Sequence, residues 1–205
     1  MAISTDSNSY AESAGAQEML SQARERMGAR MTRRERAVEL ATGGSFAVCA
    51  VALALLGDSG RAFDWGAAAM VVLALAAAAM VQFEVGATYT MPVQLMFVPM
   101  LFVLPPETVP LCVAVALVIS KVPDALMGRR PPERAMLAIG DSWFSLGPAA
   151  VLVAAGAGGA SPSGHDWLLY VAAFAAQIAV DFSASSARDL MNGGVENPGE
   201  RGSVA

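Results

Sequence analysis

Residues 40–56 read LATGGSFAVCAVALALL and residues 65–82 read WGAAAMVVLALAAAAMVQ, and neither stretch contains a Lys, Arg, Asp or Glu. Between them Gly57-Asp58-Ser59-Gly60 supplies a turn. A helix needs about 17–25 apolar residues to cross a bilayer. Both runs meet that length, so together they read as a membrane helical hairpin. Four further apolar segments follow, at 91–104, 107–120, 137–155 and 167–182. The expected fold is all-α: a polytopic membrane helix bundle of about six transmembrane segments.

The third and fourth segments are short for a crossing. Leu104-Pro105-Pro106-Glu107 joins them, and each carries a further proline, Pro99 and Pro110. They read as a tilted pair of short spans, as a pair lengthened by flanking residues, or as a re-entrant hairpin. Proline within a membrane needs neighbouring protein to satisfy the carbonyl it frees. Trp65, Trp167 and Tyr170 stand at segment starts, where amphipathic rings anchor a span at the headgroups.

Composition agrees with the segments. The chain is 55% hydrophobic and 15% charged, against about 45–50% and 25% in a soluble domain. Lys and Arg gather at residues 24–36, at residues 121–134 and in the tail at Arg188 and Arg201, with Arg61 alone outside these clusters. With the N-terminus in the cytoplasm, six crossings place every Lys and Arg except Arg61 on the inner side, as positive-inside bias requires. This predicts a multi-pass protein of the inner (plasma) membrane with both termini cytoplasmic. The same charges fit a re-entrant third and fourth segment equally well. The predicted domains are a cytoplasmic tail with a basic amphipathic helix at 1–39, the bundle at 40–183 and a polar cytoplasmic tail at 184–205. In the first of these, Leu20, Ala23, Met27 and Met31 fall at helical spacing, which suits a helix on the membrane surface, a helix paired with a partner helix, or a solvated lead-in.

The net charge of −5 does not favour nucleic acid as a partner. Cys49 and Cys112 lie within apolar runs and read as small buried hydrophobes, so neither a disulfide nor a metal site is expected. The first forty residues are polar, so no signal peptide is expected. Polar side chains at segment ends are the candidates for function. One set is a cytoplasmic-side cluster of Glu84, Lys121, Asp141 and Asp181, which in this topology share a depth. The set is either a buried polar cluster or a ring of charges solvated at the headgroups. Within it Asp141 is expected to pair with Lys121 or with a helix-end donor. A second set, Thr88, Tyr89, Thr90 and Gln94, forms a candidate binding segment. No catalytic residue, metal ligand set or cofactor is expected: the single histidine, His165, lies in a Ser/Gly loop, and Ser142 has no base in sequence context.

Several motifs carry a family resemblance. They are Phe83-Glu84-Val85-Gly86, then Tyr89-Thr90-Met91-Pro92-Val93-Gln94-Leu95, then Phe97-Val98-Pro99-Met100 running to Pro105-Pro106. Pro132-Glu133-Arg134, Ile139-Gly140-Asp141-Ser142-Trp143 and Leu146-Gly147-Pro148-Ala149 follow. Across roughly residues 40–190 the chain resembles the N-terminal multi-pass, membrane-associated sensor region of bacterial signalling proteins that carry HD-type phosphohydrolase or GGDEF output domains. It departs from them after Asn192, where a short polar tail stands in place of an output domain. The resemblance implies a membrane-embedded sensory or regulatory module with the lipid bilayer around it and a homodimer or a cytoplasmic signalling protein as partner. A small-solute binding or transport subunit and a ligand-free membrane scaffold are the other readings.

Overall fold

The computed structural model describes residues 32–81, 83–85, 88–90, 92–128, 137–156 and 166–193. The N-terminal amphipathic segment, most of the Arg134 loop, His165 and the C-terminal tail lie outside the described residues.

The first helix, α1 (Arg33–Leu56), starts before the apolar run does. Thr32 and Glu35 form a capping box, with Glu35 N donating to Thr32 Oγ1 at 3.2 Å and Thr32 N to Glu35 Oε2 at 2.7 Å. The predicted lead-in and first span are therefore one helix from Arg33 onward. At its other end the Asp58 carboxylate accepts from Gly60 N at 2.9 Å, and Gly60 takes φ 69°, a left-handed turn open to glycine. Asp64 then caps α2 (Trp65–Met80) by accepting from Gly66 N and Ala67 N.

A two-stranded antiparallel hairpin follows, Phe83–Val85 (β1) with Thr88–Thr90 (β2), in the register Phe83↔Thr90, Glu84↔Tyr89 and Val85↔Thr88. The hairpin lies between the second and third apolar segments. Its Phe, Val, Thr and Tyr residues favour extended backbone, and two residues, Gly86-Ala87, separate the strands. Next come α3 (Val93–Val103), interrupted by Pro99, a one-turn 3₁₀ helix at Pro106–Thr108 and α4 (Val109–Leu126). The expected symmetry of two short segments is absent. The unit Pro106–Leu126 is long and apolar enough to cross, whereas α3 has 11 residues. Reading the fourth segment as ending at Ser120 underestimates it, because the helix runs on past Lys121 and Pro123.

The fifth helix, α5 (Leu137–Ala154), changes pitch in its middle: Leu137–Gly140 is α-helical, Asp141–Ser145 is 3₁₀ and Leu146–Ala154 is α-helical again. Two features of the sequence cause this. Pro148 has no amide hydrogen for the Phe144 carbonyl. In addition, the buried Ser142 and Ser145 hydroxyls donate back to the Ala138 and Ser142 carbonyls, at 2.9 and 2.6 Å. The last helix, α6 (Trp167–Gly193), has 27 residues and is the longest.

In the described residues α1, α5, α6 and the Pro106–Leu126 unit have the length and composition of membrane spans, while α2 and α3 are shorter apolar helices. One core holds Leu75 of α2, Phe97 and Met100 of α3, Val113 and Leu117 of α4 and Leu152 of α5. A smaller one joins Phe46 and Ala50 of α1 to Leu146. Gly147 lets α5 and α6 touch backbone to backbone, since a Cβ there would collide with the Ala176 carbonyl. Outward-facing side chains are large and apolar, including Val48, Leu55, Phe174, Ile178 and Phe182. A helical bundle that packs an apolar core and also exposes apolar residues on its outside is built for lipid.

Candidate functional site

The bundle has two ends. The near end holds the start of α1 and the finish of α6, joined where Arg34 donates to the Met191 carbonyl. The far end holds the Gly57–Asp64 turn, the Pro105-Pro106 corner and the start of α6.

At the near end three charged side chains from three helices meet. Arg188 of α6 donates from Nη1 to Asp141 Oδ1 of α5 at 2.8 Å. Its Nε lies 3.4 Å from Oε1 of Glu39 on α1. The two carboxylates differ in surroundings: the Glu39 side chain is 5% exposed, the Asp141 side chain 51%. Glu39 shares a face of α1 with Val38, Thr42, Gly43, Phe46 and Ala50, all buried. Gly140 makes room for the cluster. A Cβ at that position would overlap the Arg188 guanidinium and stand 3.2 Å from Glu39 Oε2 and 3.3 Å from Thr42 Oγ1.

Fastening at this cluster is incomplete. Glu39 Oε2 is buried without a hydrogen-bond partner, and the Arg188 Nε contact is close enough for charge attraction without forming an aligned hydrogen bond. Trp143, in the 3₁₀ stretch of α5, donates from Nε1 to the Thr42 carbonyl at 3.0 Å and sets its ring edge-on to Phe46. Beside these contacts a groove of about 520 Å³ runs between α1 and α6, with Trp143 in its wall. The hydroxyls that line it, Thr42, Ser45 and Ser183, each donate to a carbonyl of their own helix, so the groove presents an apolar surface.

Of the residues expected to cluster, the structure brings Asp141 into this site and gives it Arg188, in place of Lys121, as its partner. Lys121 is half-buried on α4, and Asp181 is exposed on α6. Glu84 pairs in register with Tyr89 in the hairpin, whose backbone alone is described and which also holds Thr88 and Thr90. Gln94 is exposed on α3. Sequence reasoning missed Glu39 and Arg188, because both stand among charges that report orientation. The available signal was phase: Glu39 falls on the same helical stripe as Thr42, Phe46 and Ala50.

The far end has its own buried acid. Glu107 accepts at Oε1 from Ser59 Oγ at 2.9 Å, while its Oε2 is buried without a partner. Arg61, the basic residue outside the charge clusters, donates to the Phe102 and Leu104 carbonyls. It thereby satisfies the C-terminus of α3, where carbonyls lack helical partners.

Among the described residues no group of His, Cys, Asp and Glu could hold a metal ion. The near-end cluster can fasten three helices by charge and release them when that charge balance changes. Compared with protein-family models, curated proteins and solved structures, the chain matches none.

Proposed function

We propose that this chain is the membrane-embedded sensory or regulatory module of a bacterial signalling system. It crosses the inner membrane six times, keeps both termini in the cytoplasm and acts on a cytoplasmic partner without catalysing a reaction itself. One observation carries the reading: the Glu39–Arg188–Asp141 cluster, which ties the first and last helices to the 3₁₀ stretch of α5. Those two helices lead to the two termini, through which a cytoplasmic partner would be addressed. A mid-helix 3₁₀ stretch is a common place for a hinge. The incomplete hydrogen bonding of Glu39 and Arg188 leaves the fastening easy to undo, and the adjoining groove gives α1 and α6 space in which to move. The layer between the two ends is filled by Leu75, Phe97, Met100 and Val113. Among the described residues this layer is apolar, which favours a signalling module over a solute conduit.

The test is a distance measurement. Spin labels at Ala37 and Leu190, both exposed near-end positions, report the α1–α6 separation in lipid nanodiscs, with Cys49 and Cys112 replaced by serine. A single narrow distance is expected for the parent, and a longer or broader one for Glu39→Gln and Arg188→Met. An unchanged distribution in both variants would show that the cluster does not control the helix ends, and the proposal would fall.

A further inference from the structure

At the far end α3, α5, the start of α6 and the turn before α2 enclose a cavity of about 190 Å³. Leu101, Leu152 and Leu169 belong to its apolar wall, and Arg61, Asp166 and Tyr170 are its charged and polar side chains. Two of these keep donors that the protein does not use. Arg61 makes both of its carbonyl contacts through Nη1, which positions the guanidinium and leaves the N–H groups of its Nε–Nη2 edge unspent. It forms no ion pair among the described residues. The Tyr170 ring is held edge-on by Phe102 at 5.6 Å, and its hydroxyl makes no hydrogen bond among the described residues. Asp166 differs, because it already has an interaction of its own. It also stands immediately before α6, where a helix start favours an acid.

Unspent donors on a cation select for an anionic acceptor. The Nε–Nη2 edge of a guanidinium presents two parallel N–H groups, which match two oxygens of one phosphate or carboxylate. A phenolic hydroxyl can donate to the same anion. Depth narrows the class. Trp65, soon after Arg61, and Trp167, next to Asp166, are both exposed at this end. Such rings settle at the headgroups, which puts the guanidinium level with lipid phosphates. Charge narrows it again. A carboxylate in the wall opposes a second negative charge on the ligand more than a first, so a singly charged phosphodiester fits better than a doubly charged phosphate. At about 30 Å³ per water the cavity has room for roughly six waters, enough for a phosphate group and the glycerol carbon next to it.

We propose that this cavity binds the phosphodiester of a membrane lipid, with two phosphate oxygens on the Nε–Nη2 edge of Arg61, the Tyr170 hydroxyl as a further donor and the glycerol against the leucines. The outer face of α6 continues the site. Phe174 and Ile178 follow Tyr170 at four-residue steps, so they share its face of the helix, and both are exposed. They form an apolar track for the acyl chains toward the middle of the bilayer. A bound lipid would tie the end of α3 to the start of α6 at the headgroups, because Arg61 holds the α3 carbonyls and the phosphate together. The site requires the bundle to sit in a bilayer, and it stands whether or not the chain signals.

The experiment uses the full chain in an uncharged maltoside detergent. Dioctanoyl phosphatidylglycerol is the first arm and inorganic phosphate the second, with dioctanoylglycerol, which lacks the phosphate, as the control. Native mass spectrometry counts the bound molecules, and thermal unfolding gives the midpoint with and without them. The expected result is saturable binding of phosphatidylglycerol, weakened about tenfold or more by Arg61→Lys, as when a charge-assisted hydrogen bond is lost. Tyr170→Phe should weaken it by a smaller factor, about threefold. The lysine keeps the charge and donors for the α3 carbonyls, so its effect reports the missing fork. If Arg61→Lys unfolds even without lipid, Tyr170→Phe decides, since it breaks no hydrogen bond among the described residues. Phosphatidylglycerol binding that survives the substitutions overturns the site, and dioctanoylglycerol binding just as tightly shows that the phosphate is not read. Binding of inorganic phosphate without phosphatidylglycerol overturns the lipid assignment, and silence in both arms overturns the proposal.

Discussion

Removing the Arg188 charge should destabilise the bundle far more than removing the Asp141 charge, and a second substitution at Glu39 should restore most of the loss. At 3.4 Å and an effective dielectric of 20, the Glu39–Arg188 attraction is about 5 kcal/mol before desolvation is subtracted. Breaking a buried pair from one side typically costs about 3–5 kcal/mol, because the remaining charge stays buried and unpaired. Two features lower that here. Arg188 is 22% exposed, and its Nε makes no aligned hydrogen bond. We therefore expect roughly 2–3 kcal/mol for Arg188→Met. Asp141, half in water, should lose about 1 kcal/mol or less on change to Asn. In Glu39→Gln the amide keeps the shape and sheds the buried charge, so the double variant Glu39→Gln/Arg188→Met should be more stable than Arg188→Met alone. The coupling should come to about 2 kcal/mol, roughly a thirtyfold change in the unfolding constant. Reversible unfolding in mixed micelles, followed by circular dichroism, measures each corner of the cycle. If the two single losses simply add, to within about 0.5 kcal/mol, Glu39 and Arg188 do not interact and the cluster is a coincidence of position.

Two other outcomes test the fold. Reporter fusions at residues 60, 128, 163 and 195 should read outside, inside, outside and inside, since the basic clusters resist translocation; periplasmic activity at 128 would rule out six crossings. Gly147→Ala should cost about 1–3 kcal/mol or more, because its Cβ meets the α6 backbone rather than a side chain that can swing away. Gly44→Ala, with nothing within 4 Å of the new atom, should be neutral or stabilising by up to about 1 kcal/mol, and equal losses in the two variants would refute the assigned α5–α6 contact.

Much of this architecture can be read from one dimension. A predominantly apolar run of the right length is what a helix needs in lipid, so residues 40–56, without a charge, and 167–182, with Asp181 only near its end, mark α1 and α6 without reference to any neighbour. Asp64 before Trp65, and Thr32 with Glu35, likewise mark helix starts, because capping is satisfied within three residues. Local rules lose force where a charge can be carried by a partner from elsewhere. Lys121 and Pro123 look like an ending, yet α4 continues through both to Leu126. The hairpin at residues 83–90 was legible only as β-prone residues around Gly86-Ala87, a weak signal among helices.

Tertiary structure alone decided which charges meet. Asp141 was visible as an acid within an apolar segment, but its choice of Arg188, 47 residues away, over Lys121 depends on α5 lying along α6. That packing depends in turn on Gly147 admitting the Ala176 carbonyl. Glu39 became a buried acid only because its stripe of α1 faces Gly140 of α5. The same holds for Arg61. In the sequence it is a departure from positive-inside bias, while in the fold its charge caps the α3 carbonyls and lines the far-end cavity with Asp166. Hydropathy acts on each residue separately and so survives in the sequence, whereas ion pairing and cavities belong to sets of residues that only the folded chain brings together.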